Sequence, residues 1–188
     1  MPDPVQPPPE PSDVALLARA QRGDESAFAA LYHRHRDRCV RIAWRFTGDE
    51  AAAWDATHDA FAWLLHRLPT LRLDGRLTTL LYPVLKNVAT TAARKRATHD
   101  RHAPALAHAR PRPELPHTGG DLVPPLQAAL DTLPDAQREA LLMRAIDGMS
   151  TEEIALALGI PAGTVKSRLH HALQALRADS KLADLFRD

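Results

Sequence analysis

The chain is predicted to be all-α: two small helical domains joined by a flexible Pro-rich linker, the second a helix-turn-helix domain. Three observations predict it. Alanine, leucine and arginine dominate a composition that is 45% apolar and only 5% aromatic, which favours helix. Alternating runs of Val, Ile, Thr and Tyr are missing, so strands are not expected. Apolar residues recur at helical spacing in segments closed by Gly or Pro. A length of 188 residues accommodates one ordinary domain or two small ones.

The elements follow in order. Residues 1–11 (MPDPVQPPPEP) read as a disordered Pro-rich tail rather than a targeting sequence. Ser12 is a suitable N-cap for a short helix over 13–22, ended by Gly23. A longer helix is expected over 25–47, where Phe28, Leu31, Tyr32, Cys39, Ile42, Ala43 and Phe46 share roughly helical spacing; Gly48 breaks it. The next helix covers about 49–67, with Ala53, Ala56, Ala60, Trp63 and Leu64 among its small and apolar positions. Residues 68–75 (LPTLRLDG) form a loop by their Pro and Gly. A helix over about 76–98 is interrupted at Pro83, which removes one hydrogen bond and clashes with the preceding turn at a cost of ~3 kcal/mol. The expectation is a kink near 79–83, or a helix whose first turn begins at Pro83.

Residues 99–120 hold Pro104, Pro111, Pro113, Pro116 and the pair Gly119–Gly120 without a sustained apolar face, and read as an extended, mobile linker. Helices resume at about 122–132, 135–146, 151–158 and 162–177, with a break and a fresh N-cap at Leu133-Pro134-Asp135. The domain boundaries are therefore a tail at 1–11, a first helical domain at 12–98, a linker at 99–121, a second domain at 122–179 and a tail at 180–188.

The segment 150–171 (STEEIALALGIPAGTVKSRLHH) carries the chemistry. Ile154, Ala155 and Leu158 space the inner face of a short helix, and Gly159 stands where the turn needs positive φ. Ile160 and Val165 pack a second helix back on the first. That second helix offers Thr164, Lys166, Ser167, Arg168, His170 and His171 with no acid among them, a pattern suited to the DNA major groove. The bland reading is a three-helix core with a basic face by chance; the joint placing of Ala155, Gly159 and Val165 weighs against it.

A net charge of +1 looks wrong for a DNA binder until it is resolved along the chain. Arg34, Arg36, Arg38, Arg41 and Arg45 crowd the second helix against Asp37 alone. Asp49, Glu50, Asp55 and Asp59 make the next segment acidic, with no Lys or Arg from 48 to 63. From 86 to 112 the chain is basic again, with Asp100 the single acid among Lys86, Arg94, Lys95, Arg96, Arg101, Arg110 and Arg112. Two regions thus suit phosphate, the helices over 86–101 and 166–177, and the acidic stretch suits a basic protein partner.

Other classes find no support. Walker-type loops, HExxH, GxSxG and paired carboxylates in a cleft are not found in the sequence, so no catalytic constellation is expected. His33 and His35 point to different sides of a helix, His170 and His171 diverge, and His99 and His102 lack further donors, so no metal or other cofactor is expected. Cys39 is a lone helical thiol, read as buried and inert. Without disulfide partners, a signal peptide or an apolar run of bilayer length, the expected compartment is the cytoplasm. Phe28, Leu31, Ile42, Phe61 and Leu64 read as core, and Trp44 and Trp54 as structural or partner-facing.

Three segments together resemble the extracytoplasmic-function sigma factors, the two-domain bacterial initiation factors that direct RNA polymerase to promoters. Residues 28–65 (FAALYHRHRDRCVRIAWRFTGDEAAAWDATHDAFAWLL) are similar to the family's polymerase-binding segment, 80–96 (LLYPVLKNVATTAARKR) to its promoter-melting helix, and 133–177 to its upstream-promoter-reading domain. The resemblance covers about 16–177. It implies that Asp55, His58, Asp59 and Phe61 lie on the surface that docks on the clamp helices of the polymerase's largest subunit, with the flap region as a further contact. It implies single-stranded −10 recognition in a groove formed by Trp63, the 68–75 loop (Leu71 and Arg72) and the melting helix, where Lys86, Asn87, Arg94 and Arg96 would contact phosphates. Trp63 is equally readable as core packing. The helix carrying Thr164, Lys166, Ser167, Arg168, His170 and His171 would read the −35 element. An anti-sigma partner is implied too; membrane insertion and a small-molecule substrate are not.

The chain departs from the family pattern at four places: His58 stands where glutamine is usual, Leu80 for a tryptophan, Pro83 for a basic residue and Thr91 for an aspartate. The alternative from another class is a free-standing helix-turn-helix transcriptional regulator whose first domain is a sensor or dimerisation module. The acidic surface and the basic melting helix argue against it. A sequestering adaptor would need neither basic helix.

Overall fold

The computed structural model describes residues 11–73, 75–102 and 124–179, with backbone alone at 97–102 and 124–125. The tails at 1–10 and 180–188 and the linker residues 103–123 lie outside the described residues. Eight α-helices and one 3-10 turn make up the described chain: α1 (Asp13–Ala20), α2 (Glu25–Thr47), α3 (Glu50–Arg67), the 3-10 turn Leu68–Thr70, α4 (Leu77–His102), α5 (Pro124–Thr132), α6 (Asp135–Ala145), α7 (Thr151–Leu158) and α8 (Ala162–Ala178).

The first four helices form a bundle around α2, which packs on α1, α3 and α4. Side-chain caps set where they start. Ser12, Asp24 and Asp49 each accept a backbone N–H in the first turn, from Ala15, Ala27 and Ala52 respectively. Gly48 closes α2 at φ 62°, the left-handed conformation that L side chains rarely adopt. Leu31, Cys39, Ile42 and Ala43 of α2 are fully buried against Ala53, Ala56, Ala60 and Leu64 of α3 and Leu77, Leu81 and Leu85 of α4. The alanines let the helix backbones approach closely. Cys39 is buried, as expected, and that burial pushes its thiol up to about 12 despite the opposing pull of Arg38 and Arg41.

Two expectations for α4 are corrected. Pro83 does not start the helix: α4 begins at Leu77 and is assigned as helix through Pro83. The missing Pro83 N–H costs the helix one bond, yet Leu81, Tyr82 and Leu85 on either side are buried and hold the turn in register, while the Pro83 ring lies on the exposed face. The helix also continues to His102, four residues into the segment expected to be linker.

The second group of helices builds the helix-turn-helix. Ser150 and Glu153 make a reciprocal capping box at the start of α7, with 2.7 Å from the Ser150 N–H to Glu153 and 3.1 Å from the Glu153 N–H to the Ser150 hydroxyl. Gly159 ends α7 at φ 64°. At α6 the cap is Pro134 rather than Asp135. Leu130, Leu133, Leu141, Leu142 and Ala172 form a local core. Met143, Met149, Ile154, Ala157 and Val165 instead continue the core of the first group, so apolar packing runs from one half into the other through α4 and α7.

Candidate nucleic-acid and protein interfaces

Three surfaces carry the residues singled out by the sequence. The first is α8. Val165, Leu169, Ala172 and Leu176 lie within a stripe of about 60° at 100° per residue, and that stripe packs inward. The opposite side presents Thr164, Lys166, Ser167, His170 and His171 to solvent, with Arg168 half-buried at its margin. The His170 and His171 rings meet edge to face at 5.6 Å. Five of the six expected residues are therefore exposed opposite the packed stripe, and Arg168 stands at the edge of that side.

The second surface, around α4, is less uniform. Asn87 and Arg94, seven positions apart, fall on one exposed strip. Lys86 and Arg96 point elsewhere. Lys86 Nζ donates to both carboxylate oxygens of Glu139 on α6, at 2.7 and 2.9 Å. Arg96 pairs with Asp49 at 2.9 Å. Trp63 is half-buried against the core with the Arg67 guanidinium 5.7 Å from its ring centre. Leu71 also leans on the core, and Arg72 is exposed. Gln21, which drew no attention in the sequence, pins this loop: its side-chain amide donates to the carbonyls of Leu68 at 2.9 Å and Leu71 at 2.7 Å.

The third surface is the outer face of α3. Asp55, His58 and Asp59 are exposed on one face, at i, i+3 and i+4. Among the described residues neither aspartate has an ion-pair partner, so their charge faces outward. Phe61 is a correction. Expected on the docking surface, it is 4% exposed and sits beneath it, because its position on α3 turns it toward α2. Its ring meets Tyr32 at 4.9 Å and Phe28 at 6.4 Å. Tyr32 in turn stacks on His58 and places its hydroxyl 3.1 Å from His58 Nε2, while Trp54 flanks the same imidazole at 6.0 Å. An aromatic bed thus fixes the orientation of His58.

The residues least visible in the sequence are those joining the two halves. Arg45 of α2 and Asp147, just after α6, form an ion pair whose side chains are 10% and 1% exposed. Tyr82 donates its hydroxyl to Glu139 at 2.8 Å; burial, then the adjacent Glu139 carboxylate, push that hydroxyl well above the ordinary tyrosine range. Arg76 pairs with Glu153 at 3.2 Å and donates to the Gly148 carbonyl at 3.0 Å. A cleft of about 440 Å³ lies between the halves, lined by Phe46, Leu130 and Leu142 and by the polar groups of Arg45, Tyr82, Lys86 and Glu139. A basic α2 hinted that some arginine would need an acid, but nothing local identified a partner 102 residues away. Among the described residues, no three His, Cys, Asp or Glu side chains gather to hold a metal ion, and no helix is long and apolar enough to cross a membrane.

Residues 31–99 match the family model of Sigma-70 region 2, and residues 125–176 that of Sigma-70, region 4. The ECF RNA polymerase sigma factor SigE of Mycolicibacterium smegmatis is 32% identical over 181 residues, spanning 92% of this chain and 69% of the relative. The RNA polymerase sigma-H factor of Pseudomonas aeruginosa is 30% identical over 188 residues, spanning 94% and 96%. CnrH, solved in complex with the cytosolic domain of CnrY, superposes with a TM-score of 0.64 at 25% identity over 93% of this chain and 98% of its own. The fold is shared as well with RpoE of Bartonella quintana, solved with the anti-sigma factor NepR, at a TM-score of 0.61 and 22% identity over 85% and 98%.

Proposed function

This chain belongs to the ECF family of RNA polymerase sigma factors, and from that premise we propose which of its surfaces performs each task of promoter-specific initiation. It is an alternative sigma factor and not a free-standing regulator. The observation that carries the assignment is the presence on one chain of an outward-facing acidic strip, a basic helix after it and an acid-free recognition helix near its end.

The acidic strip of α3 binds core polymerase. Asp55 and Asp59 supply charge to a basic face on the clamp helices of the largest subunit, and His58, held by Tyr32 and Trp54, supplies an oriented hydrogen-bonding group. Phe61 supports this face from within. The exposed side of α8 enters the major groove of the −35 element. Arg168 and Lys166 donate to guanine or phosphate, Thr164 and Ser167 serve either base edge or backbone, and His170 and His171 reach the flanking backbone. The −10 strand lies along Asn87 and Arg94, with Trp63, Leu71 and Arg72 at the capturing loop; Lys86 and Arg96 join once released from Glu139 and Asp49. The flap region of the polymerase takes the second domain, bounded at 122–179, and the residues between the end of α4 at His102 and that domain connect it to the first.

On this reading the protein performs no covalent chemistry, needs no cofactor and acts in the cytoplasm. Its work is differential binding, with the polymerase supplying the orientation of two small domains. Solved relatives carry anti-sigma partners, and a partner of that class is expected here.

The deciding experiment is transcription of fragmented bacterial genomic DNA by core polymerase with and without this protein, mapping transcript starts. New starts that share two upstream elements at fixed spacing are expected. Their absence, with tight duplex binding by the protein alone, would overturn the assignment. The double reversal Asp55→Lys with Asp59→Lys lowers affinity for core; unchanged affinity removes the α3 face from the docking surface.

A further inference from the structure

The acidic face of α3 contains a group whose charge is not fixed. His58 lies three residues after Asp55 and one before Asp59, and all three are exposed. Its imidazole is held on two sides. The Tyr32 ring of α2 lies at 17° to it with centroids 6.2 Å apart, and Trp54 of α3 flanks it at 6.0 Å. Buried Phe61 meets Tyr32 at 4.9 Å and fixes it from beneath. Elsewhere on α2, His33 meets the Tyr32 ring edge to face at 5.6 Å, with its Nδ1 3.4 Å from Arg36. The polar contact of the His58 ring is with the Tyr32 hydroxyl, 3.1 Å from Nε2.

That contact chooses a tautomer. A neutral imidazole carries its proton on one nitrogen and accepts on the other, whereas the cation donates from both. A phenol donates more readily than it accepts, because the ring draws on the lone pairs of its oxygen. With the Tyr32 O–H donating to Nε2, the neutral ring is the Nδ1–H form. Among the described residues Nδ1 has no hydrogen-bond partner, so its N–H is left to donate to an incoming surface. Protonation undoes the arrangement. Nε2 gains a hydrogen, Tyr32 must turn its own away, and the charge of the Asp55–His58–Asp59 strip falls from two negatives to one. The loss of charge weakens attraction to a basic partner.

We propose that Tyr32 is a positioning residue for docking on core polymerase: it holds His58 as the neutral Nδ1–H imidazole that core selects, so that the docking face weakens as acid protonates His58. The proposal deepens the assignment of the α3 face to core binding and rests on it. The sign follows from linkage. A basic partner disfavours the cationic ring, so docking favours loss of its proton, and affinity is highest in the alkaline part of the imidazole range and falls as pH falls.

The test measures the affinity of the full chain for core polymerase at about pH 8 and about pH 6, within the span where histidine changes charge. The parent should bind several-fold more weakly at the lower value. His58→Gln, whose amide keeps a donor but carries no charge, should show a much smaller difference between the two. Tyr32→Phe keeps the ring and its contact with Phe61 and loses only the hydroxyl. At the higher pH it should bind core several-fold more weakly than the parent, the worth of one positioned hydrogen bond, with its urea unfolding midpoint close to the parent's. In the His58→Gln background the same change should cost nothing further, because the hydroxyl acts only through the imidazole. An equal pH dependence in the parent and His58→Gln, or a Tyr32→Phe loss that persists in full in the His58→Gln background, would overturn the proposal. The double reversal Asp55→Lys with Asp59→Lys separates it from its premise. If that variant loses core affinity while Tyr32→Phe binds as the parent does, α3 docks on core and the role of Tyr32 fails; if it loses none, both fail.

Discussion

The two basic helices of this protein meet opposite fates. On α8 the basic and hydroxyl side chains face solvent, because four apolar residues in a narrow stripe take up all of its packing. On α4 the apolar face is wider and two of its cations are already engaged, Lys86 by Glu139 and Arg96 by Asp49. A basic run in a sequence thus marks charge, whereas availability depends on which side of the helix the neighbours occupy. One reading surface is ready in the free chain; the other is partly covered by the molecule itself.

The largest effect expected of any single change lies in that cover. Asp147→Ala leaves the Arg45 guanidinium buried and unpaired, and should cost about 3–5 kcal/mol of stability, read from urea unfolding of the full chain. A loss below about 1 kcal/mol would put the pair in the class of surface contacts and erase the contrast between the helices. Arg168→Ala tests the open side. It should weaken holoenzyme binding to duplex promoter by about 1–3 kcal/mol and relax preference at one base position, with core affinity unchanged. Equal loss on every sequence would make Arg168 a phosphate contact instead.

A smaller effect belongs to the loop beside α4. Gln21→Ala removes two hydrogen bonds to the Leu68 and Leu71 carbonyls, each worth about 0.5–1.5 kcal/mol net. Permanganate reactivity of the −10 thymines should fall while −35 binding holds; intact melting would deny Gln21 any positioning role.

The smallest effect is acid sensitivity at the α1–α2 corner, remote from both reading surfaces. Hydrogen bonds from Ser26, Arg19 and the Ala27 N–H lower the Asp24 carboxyl to about 2. Burial raises the Asp13 carboxyl, but Arg34 and His35 outweigh it and leave it lowered. Both folded values lie below the ordinary 3.8, so the stability they contribute is present above that pH and is lost as pH falls toward about 2. Asp24→Asn should flatten the acid limb of the unfolding midpoint in that window; an unchanged limb would place the proton uptake elsewhere.

Much of the fold was legible residue by residue. Ser12, Asp24 and Asp49 are strong N-caps, Gly48 and Gly159 are free to take the left-handed turn, and the periodic apolar positions of α2 and α8 have no competing period. His35 was overlooked although it falls between Leu31 and Cys39 at four-residue steps, a spacing that puts it on the buried face beside Asp13. A helix start at Pro83 is what local propensity favours, but buried Leu81, Tyr82 and Leu85 carry the helix through it from Leu77. Of the candidate surfaces, the α8 side and the Asp55–His58–Asp59 face could be read from helical spacing; Phe61 reads as core in the sequence and as docking surface only through the resemblance, and its burial against α2 agrees with the first.

By itself, then, the sequence determined the helices, their caps, the helix-turn-helix and the alternation of basic and acidic stretches, since each depends on residues within a turn or two of one another. Tertiary structure alone decided which cations remain available. Arg45, Arg76 and Lys86 find their acids only where the chain folds its second half onto the first. Charge attraction at a few ångströms depends on separation in space, and no local pattern encodes a separation bridged by half the chain.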